Sequence, residues 1–141
     1  MLTSSKKSRE AMLLFLRLTV VFVFLWHGIP KAIFIGAAVQ KFTGMGFPGF
    51  LGPVIGWVEV IAGSLILIGF QNKWANLLLA AVIIVAIAGV QLPKGVTAGL
   101  ERDILLLAAN LISAFFGPGL LSLDNYLAPN TLPVGPPEQQ V

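Results

Sequence analysis

The chain has 141 residues, 57% of them hydrophobic and 11% charged, with a net charge of +3, no cysteine and one histidine, and its mean hydropathy is +0.91. Soluble domains average about 45–50% apolar and about 25% charged residues, so this composition excludes disorder and argues against a soluble globular domain. Nine scattered basic residues form no stripe that would neutralise a phosphate backbone, which argues against nucleic-acid binding, and the lack of cysteine excludes disulfides, thiolate metal sites, cysteine nucleophiles and Cys-ligated iron–sulfur clusters.

The length suits one domain, and the composition makes it an integral membrane protein. A spanning helix needs about 20 predominantly apolar residues, and four stretches qualify: about residues 11–29, 53–70, 74–92 and 102–121. The expected fold is therefore an all-α membrane protein, a four-transmembrane-helix bundle over residues 11–121. Residues 1–10 precede it as a cytoplasmic segment. Continuous apolar runs, without alternation, make membrane strands a poor alternative.

The first stretch follows Lys6, Lys7 and Arg9 as a secretory signal would. However, it is too long, and His27-Gly28-Ile29-Pro30-Lys31 is no small-residue cleavage site, so it reads as a retained span. Residues 31–52 form a Gly- and Phe-rich loop at the membrane surface, with room for a short interfacial helix. Pro53 opens the second span, where proline is well tolerated. Gln71-Asn72-Lys73 is a tight turn, making spans two and three an antiparallel hairpin. The third span lacks a polar side chain from Leu77 to Val90, and residues 93–100 form a second short loop. The fourth span ends at Gly117-Pro118-Gly119. Residues 122–141, with four prolines and no basic residue, read as an extended or disordered tail.

Basic residues on the two sides tie: Lys6, Lys7, Arg9 and Lys73 against Lys31, Lys41, Lys94 and Arg102. The cluster before a first span usually sets orientation, so both termini are expected in the cytoplasm, with the chain in a bacterial inner (cytoplasmic) membrane.

An ionisable group in the bilayer core costs about 2.5–3.5 kcal/mol on insertion scales. Glu59 lies six residues into the second span, roughly 9 Å deep at 1.5 Å per residue. Gly52, Gly56 and Gly63 share its face and allow another helix close. Alone it would take up a proton; beside a cation it could stay charged. It is either a proton-handling or ligand-binding carboxyl, or half of a structural pair.

His27 and Lys31, four residues apart, share a face if the first helix continues past Gly28 and Pro30. His27 is either a proton shuttle and hydrogen-bond donor, or an interfacial histidine beside Trp26 in an aromatic belt. Haem ligation by a histidine pair would need two copies of the chain. Glu101, Arg102 and Asp103 open the fourth span, where acidic groups also suit the helix dipole. Asp103, Asn110 and Gly117 recur every seven residues as a polar-to-small stripe; Asn110 reads first as interhelical glue. Arg17 reads as snorkelling back toward the N-terminal side. The topology brings His27, Lys31, Glu59, Glu101, Arg102 and Asp103 to one end of the bundle, beneath the aromatic loop as a lid. A pocket is expected there.

Several stretches resemble the DoxX family of small four-span membrane proteins. They are Leu16-Arg17-Leu18, Leu25-Trp26-His27-Gly28-Ile29-Pro30-Lys31, Met45-Gly46-Phe47-Pro48, Gly56-Trp57-Val58-Glu59 with Gly63 and Gly69, Glu101-Arg102-Asp103, and Gly117-Pro118-Gly119 before Ser122-Leu123-Asp124. The likeness covers residues 13–124. It implies a four-helix membrane bundle and a link to quinone-dependent redox chemistry, since members resemble subunits of quinol-oxidising or thiosulfate–quinone systems.

Two readings result. The first is a quinone-linked redox subunit, with Glu59 and His27 catalytic and with His27, Lys31, Arg102 and Asp103 binding the quinone. The chain offers no electron carrier: it has no cysteine, no haem pair and no GxGxxG after a strand. Electrons must then come from a redox partner subunit or a diffusible donor. The second reading is a non-catalytic membrane subunit or small-solute carrier, in which the same charges hold helices in register or bind a solute. Partners under either reading are membrane lipid and a redox subunit or a second copy of the chain.

Overall fold

The computed structural model describes residues 2–127, with side-chain environments from residue 6 onward. Within these residues the chain is helical, with no strand. The order is α1 (Leu2–Ile33), α2 (Ile35–Gly44), α3 (Leu51–Ile68), α4 (Asn72–Ala86), α5 (Ala98–Phe116) and α6 (Leu123–Leu127). Three helical segments are long and apolar enough to cross a membrane: Lys6–Ile33, Leu51–Ile68 and Asn72–Lys94. The chain is a multi-pass membrane protein. α5 matches them in length, with 19 residues, but carries Glu101, Arg102 and Asp103 in its opening turns.

α1 begins nine residues earlier and ends four later than its apolar stretch predicts. At 1.5 Å per residue its 32 residues extend about 48 Å, well beyond a hydrocarbon core of about 30 Å. Lys6, Lys7, Arg9 and Glu10 in its polar opening turns are good helix formers and prolong it. Pro30 does not break the helix: its carbonyl still accepts from Phe34 N–H at 2.9 Å. Only Phe34 separates α1 from α2, so much of the expected surface loop is helix.

α1 packs against α3 over most of their length, α3 against α4, and α4 against α5. Val20, Val21, Phe24, Ala62, Ile66, Ala75, Leu79 and Ile83 form the buried core where α1, α3 and α4 meet. Gly69, at φ 68°, ends α3 and lets the chain turn directly into α4. α4 continues past Ala86 through a π-helical turn, Ile87–Gln91, and a 3₁₀ turn, Leu92–Lys94. α5 starts at Ala98, four residues before its predicted start, because Thr97 caps it: its hydroxyl accepts from Leu100 N–H at 3.3 Å. It stops at Phe116 before Gly117, whose φ is 83°.

The end opposite the polar cluster is latched. The Asp124 carboxylate accepts from Gln71 N–H at 2.8 Å and Asn72 N–H at 2.9 Å, capping α4. Arg17 is 5% exposed, so it does not reach water as a snorkelling side chain would. Its guanidinium does point to this end, where it donates to the carbonyls of Pro118 at 2.8 Å and Leu121 at 2.7 Å. The first six residues of the expected extended tail thus include the short helix α6; residues 128–141 lie outside the described residues.

Candidate functional site

At the other end, α1, α2, α3, α4 and α5 line a cavity of about 220 Å³ that is open to the surface on one side. Its walls are apolar (Phe24, Phe42, Val82, Ile83 and Leu106 among them), and its polar lining is His27, Lys31, Lys41, Glu59, Gln91, Arg102 and Asp103. A cavity of about 150 Å³ takes benzene, and pockets for drug-sized ligands run to about 300–1,000 Å³. This one therefore has room for a single substituted ring.

Two ion pairs stand on its walls. Lys31 on α1 donates to both carboxylate oxygens of Glu59 on α3, each at 2.6 Å. Close helix approach makes this pairing possible. A Cβ on Gly56 would sit 2.6 Å from Lys31 Cβ and 2.7 Å from Ala32 N; a Cβ on Gly28 would sit 2.8 Å from Glu59 Cβ. Glycines on both helices thus bring the backbones together where the charges meet. Glu59 is 5% exposed; with its partner removed it would be a buried unpaired charge.

The second pair is on α5. Arg102 Nε donates to Asp103 Oδ1 at 2.9 Å, with Nη2 in ion-pair contact with the same oxygen at 2.8 Å, and the other oxygen, Oδ2, accepts from Gln91 Nε2 at 3.0 Å. Gln91 belongs to the π-helical turn of α4, a widened turn often found at functional sites. Gly99 leaves room for its amide, since a Cβ there would lie 2.8 Å from Gln91 Oε1.

His27 lines this cavity and also an open groove between α1 and α2, together with Lys31, Lys41 and Trp26. No hydrogen bond engages His27 among the described residues. Trp26 faces outward and stacks on Phe22, ring centroids 5.9 Å apart. Over the cavity, Phe42 and Met45 contribute from α2 and its end, and Phe47 rests on α4 where Gly89 makes room.

Of the six residues expected at this end, His27, Lys31, Glu59, Arg102 and Asp103 border the cavity. Glu101 does not: it is exposed on the outer face of α5. Asn110 is buried, but its Nδ2 donates to Leu106 O of its own helix, so among the described residues no hydrogen bond makes it interhelical glue. That role falls to Asn72, whose Nδ2 donates to Ser113 O on α5 at 2.9 Å. Sequence reasoning missed Lys41 and Gln91 in the site. Lys41 was only counted for orientation, and Gln91 was hidden because nothing in a continuous apolar run announces a π turn.

The DoxX family model matches residues 12–92 of the chain. The chain is 32% identical over 121 residues to the protein named "Putative oxidoreductase CatD" of Bacillus subtilis (strain 168), an alignment covering 86% of this chain and 90% of that relative. No solved structure matches it. The chain belongs to the DoxX family. His27, Lys31, Glu59 and Gln91 lie in the matched segment; Arg102 and Asp103 lie beyond it.

Proposed function

For this DoxX-family chain we propose the role of a quinone-linked redox subunit that spans the bacterial cytoplasmic membrane four times, with both termini in the cytoplasm. The observation that carries the reading is the cavity: a ring-sized apolar space whose polar groups are all donors or proton carriers at one end of the bundle. The oxidoreductase name of the Bacillus subtilis relative supports the same reaction class.

A bound quinone would supply a ring that accepts two electrons and two protons. The residues present suit such a ring. Phe24, Phe42, Ile83 and Leu106 would cover its faces. His27, Lys31 and Arg102 are donors suited to its carbonyl oxygens, and Asp103 fixes Arg102 for that purpose. Glu59 and His27 would carry protons, general acid–base roles typically worth about 10²- to 10⁴-fold in rate. Electrons would come from a partner subunit or a diffusible donor. The fourth crossing is α5. It packs along α4, and the chain beyond it returns to cap the start of α4 through Asp124. Pairing Arg102 with Asp103 lowers the cost of its charged opening turns.

Native mass spectrometry of the protein released from its own membrane should carry a quinone. Quinone reduction by membranes containing the protein should fall by about two orders of magnitude or more in Glu59→Gln, with assembly unchanged. Loss of assembly without a separate loss of turnover would instead favour a non-catalytic membrane subunit.

A further inference from the structure

The charges around the cavity do not balance. Lys31, Lys41 and Arg102 border it, against Glu59 and Asp103, which leaves one positive charge over. Each carboxylate oxygen already has a donor: Glu59 receives Lys31 on both oxygens, and Asp103 receives Arg102 on one and Gln91 on the other. Each of these acidic residues is 5% exposed. An incoming cation would therefore meet carboxylates already paired with a lysine and a guanidinium.

The spare donors point the other way. Lys41 forms no ion pair among the described residues, and it borders both the cavity and the groove between α1 and α2 that leads to it. Arg102 is held along one edge by Asp103, and its Nη1 makes no hydrogen bond among the described residues. A guanidinium has five N–H donors in a fixed fork, so this arrangement orients the remainder rather than consuming it. Lys41 and Arg102 are both exposed at the mouth of the cavity, so they attract an anion from solvent and their pull weakens as salt rises.

We propose that the cavity binds a small monoanion with an apolar, ring-sized body, its charged end received between Lys41 and Arg102. This assignment rests on the cavity being a ligand site, and stands or falls separately from the redox chemistry. A neutral ligand of the same shape, an oxidised quinone included, leaves the extra charge uncompensated and binds more weakly than the anion.

The test uses the full chain in nanodiscs of zwitterionic phosphatidylcholine, with benzoate as the anionic probe and benzamide as its neutral counterpart, followed by calorimetry. Benzoate should bind saturably, and benzamide about tenfold more weakly or worse. Lys41→Gln should abolish the preference for benzoate. Lys94→Gln, which removes an exposed cation at the same end but outside the cavity, should keep it. Displacement of benzoate by phosphatidylglycerol in the discs would identify the natural anion as a lipid headgroup; an undisturbed benzoate would identify it as a soluble anion. Equal binding of the two probes, no benzoate binding, or a preference unmoved by Lys41→Gln would overturn the proposal. Absence of quinone reduction by the parent protein, with benzoate binding intact, would remove only the redox reading.

Discussion

Arg17 and Glu59 each place an ionisable side chain in an apolar helix, each is 5% exposed, and the bundle accommodates them differently. Glu59 is matched by a cation on a neighbouring helix. Arg17 instead satisfies two carbonyls of the irregular segment between α5 and α6, outside any helical hydrogen-bond ladder. Its two-pronged geometry serves Pro118 and Leu121 at once, which a single ammonium would do less well. Arg17→Met should therefore destabilise the protein by about 1–3 kcal/mol for each carbonyl left without a donor, read as a lower midpoint in denaturing-detergent unfolding. Hydrogen exchange should quicken at residues 119–122, while the amides around Glu59 keep their protection. An unchanged midpoint would mean that water or lipid replaces the guanidinium without loss.

At the scale of elements, the pairing of α1 with α3 decides whether the site exists. Gly56→Ala would press a methyl group into the α1 backbone at Lys31 and Ala32. Overpacking of this kind costs about 1–3 kcal/mol, and here it would also part Lys31 from Glu59. Gly36→Ala provides the contrast: nothing lies within 4 Å of a Cβ there, and replacing a helical glycine favours the helix by about 0.5–1 kcal/mol. Thermal melts should rank Gly36→Ala at or above the parent and Gly56→Ala below it; the reverse order would mean that α1 and α3 do not meet through Gly56. The same comparison shows what a sequence can disclose. Glycines on one face of a span announce close approach, and the shared face of Gly52, Gly56 and Glu59 was legible for that reason. Where helices end was less so. α1 runs through Pro30 because neighbouring groups tolerate a proline in a membrane helix, and α5 starts early because one threonine caps it. Arg102 and Asp103 were legible as charges gathered at this end, where an acidic group also suits the start of a helix. Gln91 was not, because its reach to Asp103 depends on a local widening of α4 that leaves no compositional mark.

For the whole molecule, the question is how many times the chain crosses the bilayer. Phe15, Phe22, Trp26, Ile61, Leu105 and Phe115 face outward from α1, α3 and α5, an apolar exterior that suits lipid and includes α5. α5 is 19 residues long, or about 28 Å at 1.5 Å per residue, close to the thickness of the hydrocarbon core. Its first turns stand at the cavity, and the chain beyond its last turn, through α6, caps the start of α4. A helix with its two ends so placed runs beside α4 from one end of the bundle to the other. The chain has no cysteine of its own, so single cysteines report position cleanly. With four crossings, Ser8→Cys, Lys73→Cys and Asn125→Cys should react with an impermeant thiol reagent from one side of sealed membranes, and Gly36→Cys and Lys94→Cys from the other. If α5 stays on one side, Asn125→Cys will label with Lys94→Cys instead. The same experiment decides which compartment the cavity faces. Labelling of Ser8→Cys from the cytoplasmic side places Lys41 and the groove beside it toward the outer face, and any soluble anion must then arrive from there.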